Sequence, residues 1–219
     1  MYALITDGSI SKYINNPKSL VIGDVRYPAK IFSLWSASEL AAIGIIKVTF
    51  DDSNKKDERW YNNTNQSYTY DASAGTVTAA YGTATAKAHA DVAEVWSQDE
   101  IDAGIAPDGT SANDPKNDEN GDQIITRGLK YNLIQTLKQQ AAGILKDTDW
   151  YIVRKADAGT AVPSSITNHR AAVRTKTAEM ETAITNASNT PALETLYTYT
   201  KQEDGSVTRP LGELPRLES

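Results

Sequence analysis

Candidate chemistry comes first. The chain has two histidines, His89 and His169, and neither stands in a paired spacing such as two histidines four apart on a helix. The expectation is no histidine-based metal site and no cofactor. No Gly-x-Ser-x-Gly occurs, the pattern that strains a serine into a nucleophile, and no Gly-Lys-Ser/Thr follows a glycine-rich turn to cradle phosphate. Acid pairs are frequent: Asp51-Asp52, Asp57-Glu58, Asp99-Glu100, Asp118-Glu119. Two carboxylates across a sugar bond would make a glycosidase, but these pairs sit in polar stretches, where solvated surface is the plainer account. Asp118 to Asp122 invites a calcium reading. With Gly121 at the sixth loop position, Lys116 stands where the first carboxylate is needed, so an Asn-Gly turn accounts for it better. Trp60-Tyr61, Tyr68 and Tyr70 could stack on sugars or on a partner, and the alternation of Tyr68 and Tyr70 also suits cross-strand pairs. With no nucleophile, base or metal set assembled, the chain reads as a non-enzyme.

Composition narrows the classes further. There is no cysteine, so disulfides, thiolate catalysis and thiolate-bound zinc are excluded. The net charge of −6, with no basic run beyond Lys55-Lys56, exerts no pull on nucleic acid or anionic lipid. The start, Met1-Tyr2-Ala3-Leu4, lacks the pattern of a signal peptide. The longest apolar stretch, Leu40 to Ile46, falls well short of the ~20 residues that span a bilayer, so no membrane partner is expected. Eleven Tyr against two Phe point to half-wet sheets and interfaces rather than one thick core.

The elements that would carry these residues divide into an α+β arrangement. Residues 1–106 read as a small β-rich module of hairpins plus one short helix. Asp7-Gly8 turns a first hairpin, and Ser73-Ala74-Gly75 turns a second between Ser67–Tyr70 and Thr76–Ala79. A short helix starts at Ser36 or Ser38, with Glu39 in its first turn, and Gly44 closes it ahead of a strand from Ile45 to Phe50. Residues 82–95 suit strand or helix equally. Residues 107–123, rich in Asp, Asn, Gly, Pro and Ser, read as a linker or exposed loop and as the domain boundary. Residues 124–200 read as a helical hairpin. Between Ile124 and Leu145, Ile125, Leu129, Leu133, Leu137, Ala141 and Ile144 form one helical stripe, ended by Asp147 to Asp149. Ile166, Val173, Met180 and Ala187 recur every seven residues on the second helix, with Thr177 and Ile184 between them. A third short helix begins at Pro191. Asp204-Gly205-Ser206 is a hairpin-type turn, and residues 201–219 form an extended, proline-punctuated tail.

Within the hairpin, Trp150 is expected to close its base by packing over Leu145 and Ile166. Arg170 and Arg174, one turn apart, are expected to pair with Asp147 or Asp149. The segment Leu145-Lys146-Asp147-Thr148-Asp149-Trp150-Tyr151, then Val162-Pro163, then His169-Arg170-Ala171-Ala172-Val173-Arg174, resembles tail assembly chaperone-like modules of bacteriophages and related tail-fibre-associated proteins. There a helix ends in a leucine…Asp-Trp element, and a second helix carries Tyr-Arg-x-x-Leu-Arg. Here His169 stands for the Tyr, Val173 for the Leu, and the loop between is longer. The start through Tyr13, and the unit Leu34 to Ile45, also resemble phage tail-region proteins. The resemblance implies a virion structural protein of the tail, made in the host cytoplasm and placed on a tail fibre, adaptor or baseplate. It would act through copies of itself and other tail proteins, as a homo-oligomer. Trp150, Arg170, Arg174, Trp60 and Tyr61 are the candidate partner-binding residues. Two alternatives stay open: a chaperone that never enters the virion, and a carbohydrate-binding module of a receptor-recognition apparatus.

Overall fold

The computed structural model describes residues 1–217. It is an α+β chain, strand-rich at the N-terminus and helical at the C-terminus. It divides into two compact units, Met1–Thr85 and Ala86–Ser219. The division lies upstream of residues 107–123, the stretch expected to mark it.

In the first unit, β1 (Tyr2–Thr6) and β2 (Ser9–Ile14) form the expected hairpin. Asp7 and Gly8 both take positive φ, 51° and 74°, as a type I′ turn requires. A smaller hairpin, β3 (Leu20–Ile22) with β4 (Val25–Tyr27), and two short helices, α1 (Ile31–Leu34) and α2 (Ala37–Ala42), lead to β5 (Ile45–Asp51). Ser36 is the residue that caps α2. Its hydroxyl accepts from the Glu39 amide, and the Glu39 carboxylate accepts from the Ser36 amide at 2.7 Å. The Ser36 hydroxyl, which also donates to the Glu39 carboxylate, and then the Ser36 amide hold that carboxyl below its ordinary range. Gly44 takes φ +78° beyond the helix end, and its carbonyl accepts from the Ile5 amide at 2.7 Å. Next come β6 (Tyr61–Asn62), β7 (Ser67–Asp71) and β8 (Thr76–Ala80); β9 (Thr85–Ala86) pairs with β6.

The main sheet runs β2-β1-β5-β8-β7, with β5 and β8 parallel and the other pairs antiparallel. Alternation splits its residues between two cores. Ile45, with Ile31 and Leu40 of the helices, buries one face. Ala3, Val48, Val77 and Ala79 bury the other. The described residues of that second core lie on the sheet's own strands, with Met1 just ahead of β1, and the sheet covers it by curling. In a flat sheet the two edge strands of five would lie about 19 Å apart. Here Tyr13 on β2 and Tyr68 on β7 bring their ring centroids to 4.6 Å. Small residues on the inner strands leave room for the tyrosines to close over them.

In the second unit, β10 (Val92–Ala93) pairs with β11 (Ile125–Thr126), and between them α3 (Gln98–Asp102) starts on a second capping box, Ser97 with Glu100. Residues 107–123 are tied into this ribbon. Val95 bridges Pro115, Asn117 bridges Gln123, and Trp96 exchanges backbone hydrogen bonds with Asn113 and Asp114. Asn120-Gly121 is a turn, with the Asp118 carboxylate accepting from the amides of Asn120 and Asp122. Lys116 donates to Glu100 at 2.6 Å and, with the Ser97 amide and hydroxyl, holds the Glu100 carboxyl down at about 2.

The helices follow: α4 (Leu129–Lys146), α5 (Asp149–Ala158), α6 (Ser164–Asn186) and α7 (Thr190–Tyr197). α4 and α6 run antiparallel. Lys130 Nζ donates to the Thr185 carbonyl, Lys138 pairs with Glu181, and Leu145 meets Arg170. The buried seam is Leu137 and Ala141 on α4 with Ile166, Val173, Met180 and Ile184 on α6, matching the sequence stripes except at Ile125, which pairs in β11 ahead of the helix. His169 is buried on the same seam. α5 is an element that the sequence reading placed in the loop after Asp149. Beyond α7, β12 (Thr200–Lys201) pairs with β13 (Val207–Thr208) around Asp204-Gly205-Ser206. The tail, expected to be extended, instead folds back. Leu211 is buried and its amide donates to the Leu196 carbonyl, while Arg209 pairs with Glu213. The last part of the expected tail, 218–219, lies outside the described residues.

Candidate functional site

The five expected contact residues fall into three situations. Trp60 and Tyr61 are 3% and 6% exposed. Sequence position suggested an aromatic surface, but the residues are interior to the first unit, so neither presents a ring to a sugar or a partner. The correction has a local cause. The Asp51–Arg59 loop turns on itself, with Trp60 and Tyr61 amides both donating to the Asp57 carbonyl at 3.0 Å, and the chain then enters β6 facing inward.

Arg170 is 8% exposed. Its Nη1 donates to the Leu145 carbonyl and to Thr148 Oγ1, both at 2.7 Å, and lies 2.9 Å from Asp149 Oδ1. Thr148, itself buried, donates its hydroxyl to the same Leu145 carbonyl at 2.9 Å. The last carbonyls of a helix have no partner within it and carry the negative end of its dipole. Arg170 reaches from the neighbouring helix to fill that need at α4, and its contact with Asp149 fastens the first residue of α5. Of the two carboxylates expected to pair with it, Asp149 does so. Arg174, one turn on, is exposed and lines a groove of about 600 Å³ between α4 and α6 with Ala141, Ala178 and Glu181.

Trp150 does not close the hairpin base. It is 50% exposed, and buried Thr148 and Arg170 occupy the α4–α5 corner instead. Its ring lies 4.1 Å from that of Tyr151, and the Arg154 guanidinium sits 4.5 Å from its centroid. Arg154 Nε is buried without a hydrogen-bond partner, enclosed beside the Trp150 and Tyr151 rings. The rest of α5 is as open. None of its ten residues is buried, and Ile152 and Val153 stand exposed, Val153 at 65%. At about 100° per residue, positions 150 to 153 place apolar side chains around most of the helix circumference. Asp149, Arg154, Lys155 and Asp157 add charge to the same helix, which stands outside, held at its root by a buried arginine.

Sequence reasoning passed over α5 because Asp147-Thr148-Asp149 looks like a stop. The available signal was the acid at the new helix's first turn, Asp149, with Gly159 at φ +68° closing its end. Among the described residues, no group of three or more His, Asp or Glu could hold a metal ion, and no helix is long and apolar enough to cross a membrane.

No protein-family model matches the chain, and no curated protein or solved structure matches it.

Proposed function

We propose that this chain is a non-catalytic structural or assembly protein that works through protein–protein contact, in its specific form a tail-associated protein of a bacteriophage virion present in several copies. One observation carries the contact reading: α5 displays Trp150, Ile152 and Val153 to solvent while Arg170 fixes its base. Apolar surface so arranged is stabilised when a partner covers it, and an anchored helix loses little conformational freedom on docking. The phage part rests on the motif order from Leu145 to Arg174 and on the N-terminal units that resemble tail-region proteins.

Mass spectrometry of purified particles, together with light scattering on the isolated protein, tests the proposal. The expected result is the chain in the particle and an oligomer in solution that Trp150→Ser together with Val153→Ser weakens. A monomer absent from particles rejects it. The same exposed helix also favours a second reading, a chaperone that covers an apolar segment of a tail protein and then leaves. In that case the partner becomes soluble on co-expression, and the chain is missing from the finished particle.

A further inference from the structure

A separate groove lies in the first unit, where the end of β2 meets the β3–β4 hairpin, with a volume of about 610 Å³. Three of its lining side chains are cations, Lys12, Lys18 and Arg26, and no acid lines it. In a chain of net charge −6, this is a local reversal of sign. Among the described residues, none of the three has an ion pair, although Arg59, Arg127, Arg170 and Arg209 all do. Between the cations stand Asn15, Asn16 and Ser19, whose side chains make no hydrogen bond within the described structure. Apolar lining comes from buried Ile14, half-buried Leu20 and exposed Val21.

We propose that this groove binds an acidic saccharide of the uronic-acid type. Each class of side chain has its counterpart there. The guanidinium and ammonium groups take carboxylates. Amides and a hydroxyl, able both to donate and to accept, suit sugar hydroxyls, which do the same. The apolar lining suits the C–H face of a pyranose. The volume falls within the range of small-molecule sites, about 300–1,000 Å³. Nucleic acid fits less well, because the net negative charge of the whole chain opposes a long polyanion and only three cations offset it. The reading is independent of the helix α5 surface and stands or falls separately.

The test is titration calorimetry of the full chain with a tetramer of α-1,4-linked galacturonate at low salt. Maltotetraose serves as the neutral control, with hexaglutamate and a 20-nucleotide single-stranded DNA as charged controls. The expected result is binding of the uronate tetramer, none of maltotetraose, and an affinity reduced on the order of tenfold by Lys18→Gln with Arg26→Gln. Asn15→Ala with Asn16→Ala should weaken the uronate as well. All four residues are exposed, so circular dichroism should show the fold of each variant unchanged. A uronate tetramer that gives no binding, binding untouched by the cation variants, or hexaglutamate or DNA binding as tightly as the uronate would each overturn the proposal.

Discussion

Replacing Arg170 measures how α4, α5 and α6 are joined. The guanidinium makes two charge-assisted hydrogen bonds in a buried setting, to the Leu145 carbonyl and the Thr148 hydroxyl. Each such bond contributes about 1.5 kcal/mol. The ion pair with Asp149 adds less, below ~1 kcal/mol, because the Asp149 side chain is 54% exposed and water screens it. Arg170→Met keeps most of the aliphatic stem and loses the polar head. The Leu145 carbonyl retains the Thr148 hydroxyl, which limits the penalty of leaving it behind. The expected cost is about 2–3 kcal/mol, a fall in melting temperature of roughly 7–10 °C for a unit of this size. Arg170→Ala adds about 1 kcal/mol more through lost packing of the stem. Asp149→Asn should cost below ~1 kcal/mol. Circular dichroism at the helical band follows all three, since α4 to α7 dominate it. If Asp149→Asn proved as damaging as Arg170→Met, or if Arg170→Met cost nothing measurable, the capping argument would fail.

Further outcomes follow from the same structure. Trp60→Ala should destabilise the first unit by about 3–5 kcal/mol, as expected for a large buried side chain, whereas Trp150→Ala should change stability by less than ~1 kcal/mol and act on partner association instead; thermal melts and light scattering separate the two. Gly44→Ala should cost about 3 kcal/mol by chemical denaturation, since φ is +78° there and an added Cβ would sit 2.6 Å from the Ile5 carbonyl oxygen. The Glu100 carboxyl, held at about 2 chiefly by Lys116 and then by Ser97, lies below its ordinary 4.5. Its contribution to stability is therefore complete above pH ~4.5 and is lost as pH falls through about 2. Lys116→Met should move that titration upward in a carboxyl NMR experiment, and an unmoved titration would remove the lysine as the cause.

The candidate contact site was only partly legible in the residues. Arg170 with Asp149 could be anticipated, because a cation one helix away from a C-terminal corner has few better partners. The aromatic residues could not be placed. A Trp-Tyr pair after a polar loop reads the same whether it faces in or out, and Trp60 and Trp150 took opposite fates from similar surroundings. α5 was hidden by the polar run at its start, since acids that mark the end of one helix, as Asp147 does, also suit the first turn of the next, as Asp149 does.

By itself, the sequence determined the local geometry: the Asp7-Gly8 turn, the Ser36–Glu39 cap, the stripes of α4 and α6, and the absence of any thiol chemistry. These depend on residues a few positions apart, where propensity, capping and periodicity act directly. Tertiary structure alone decided that the sheet curls until Tyr13 meets Tyr68, that the tail returns to bury Leu211, and that α5 stands outside with Trp150 exposed. Those outcomes turn on contacts between distant residues, whose free energy depends on which surfaces remain to be covered once the local elements have formed.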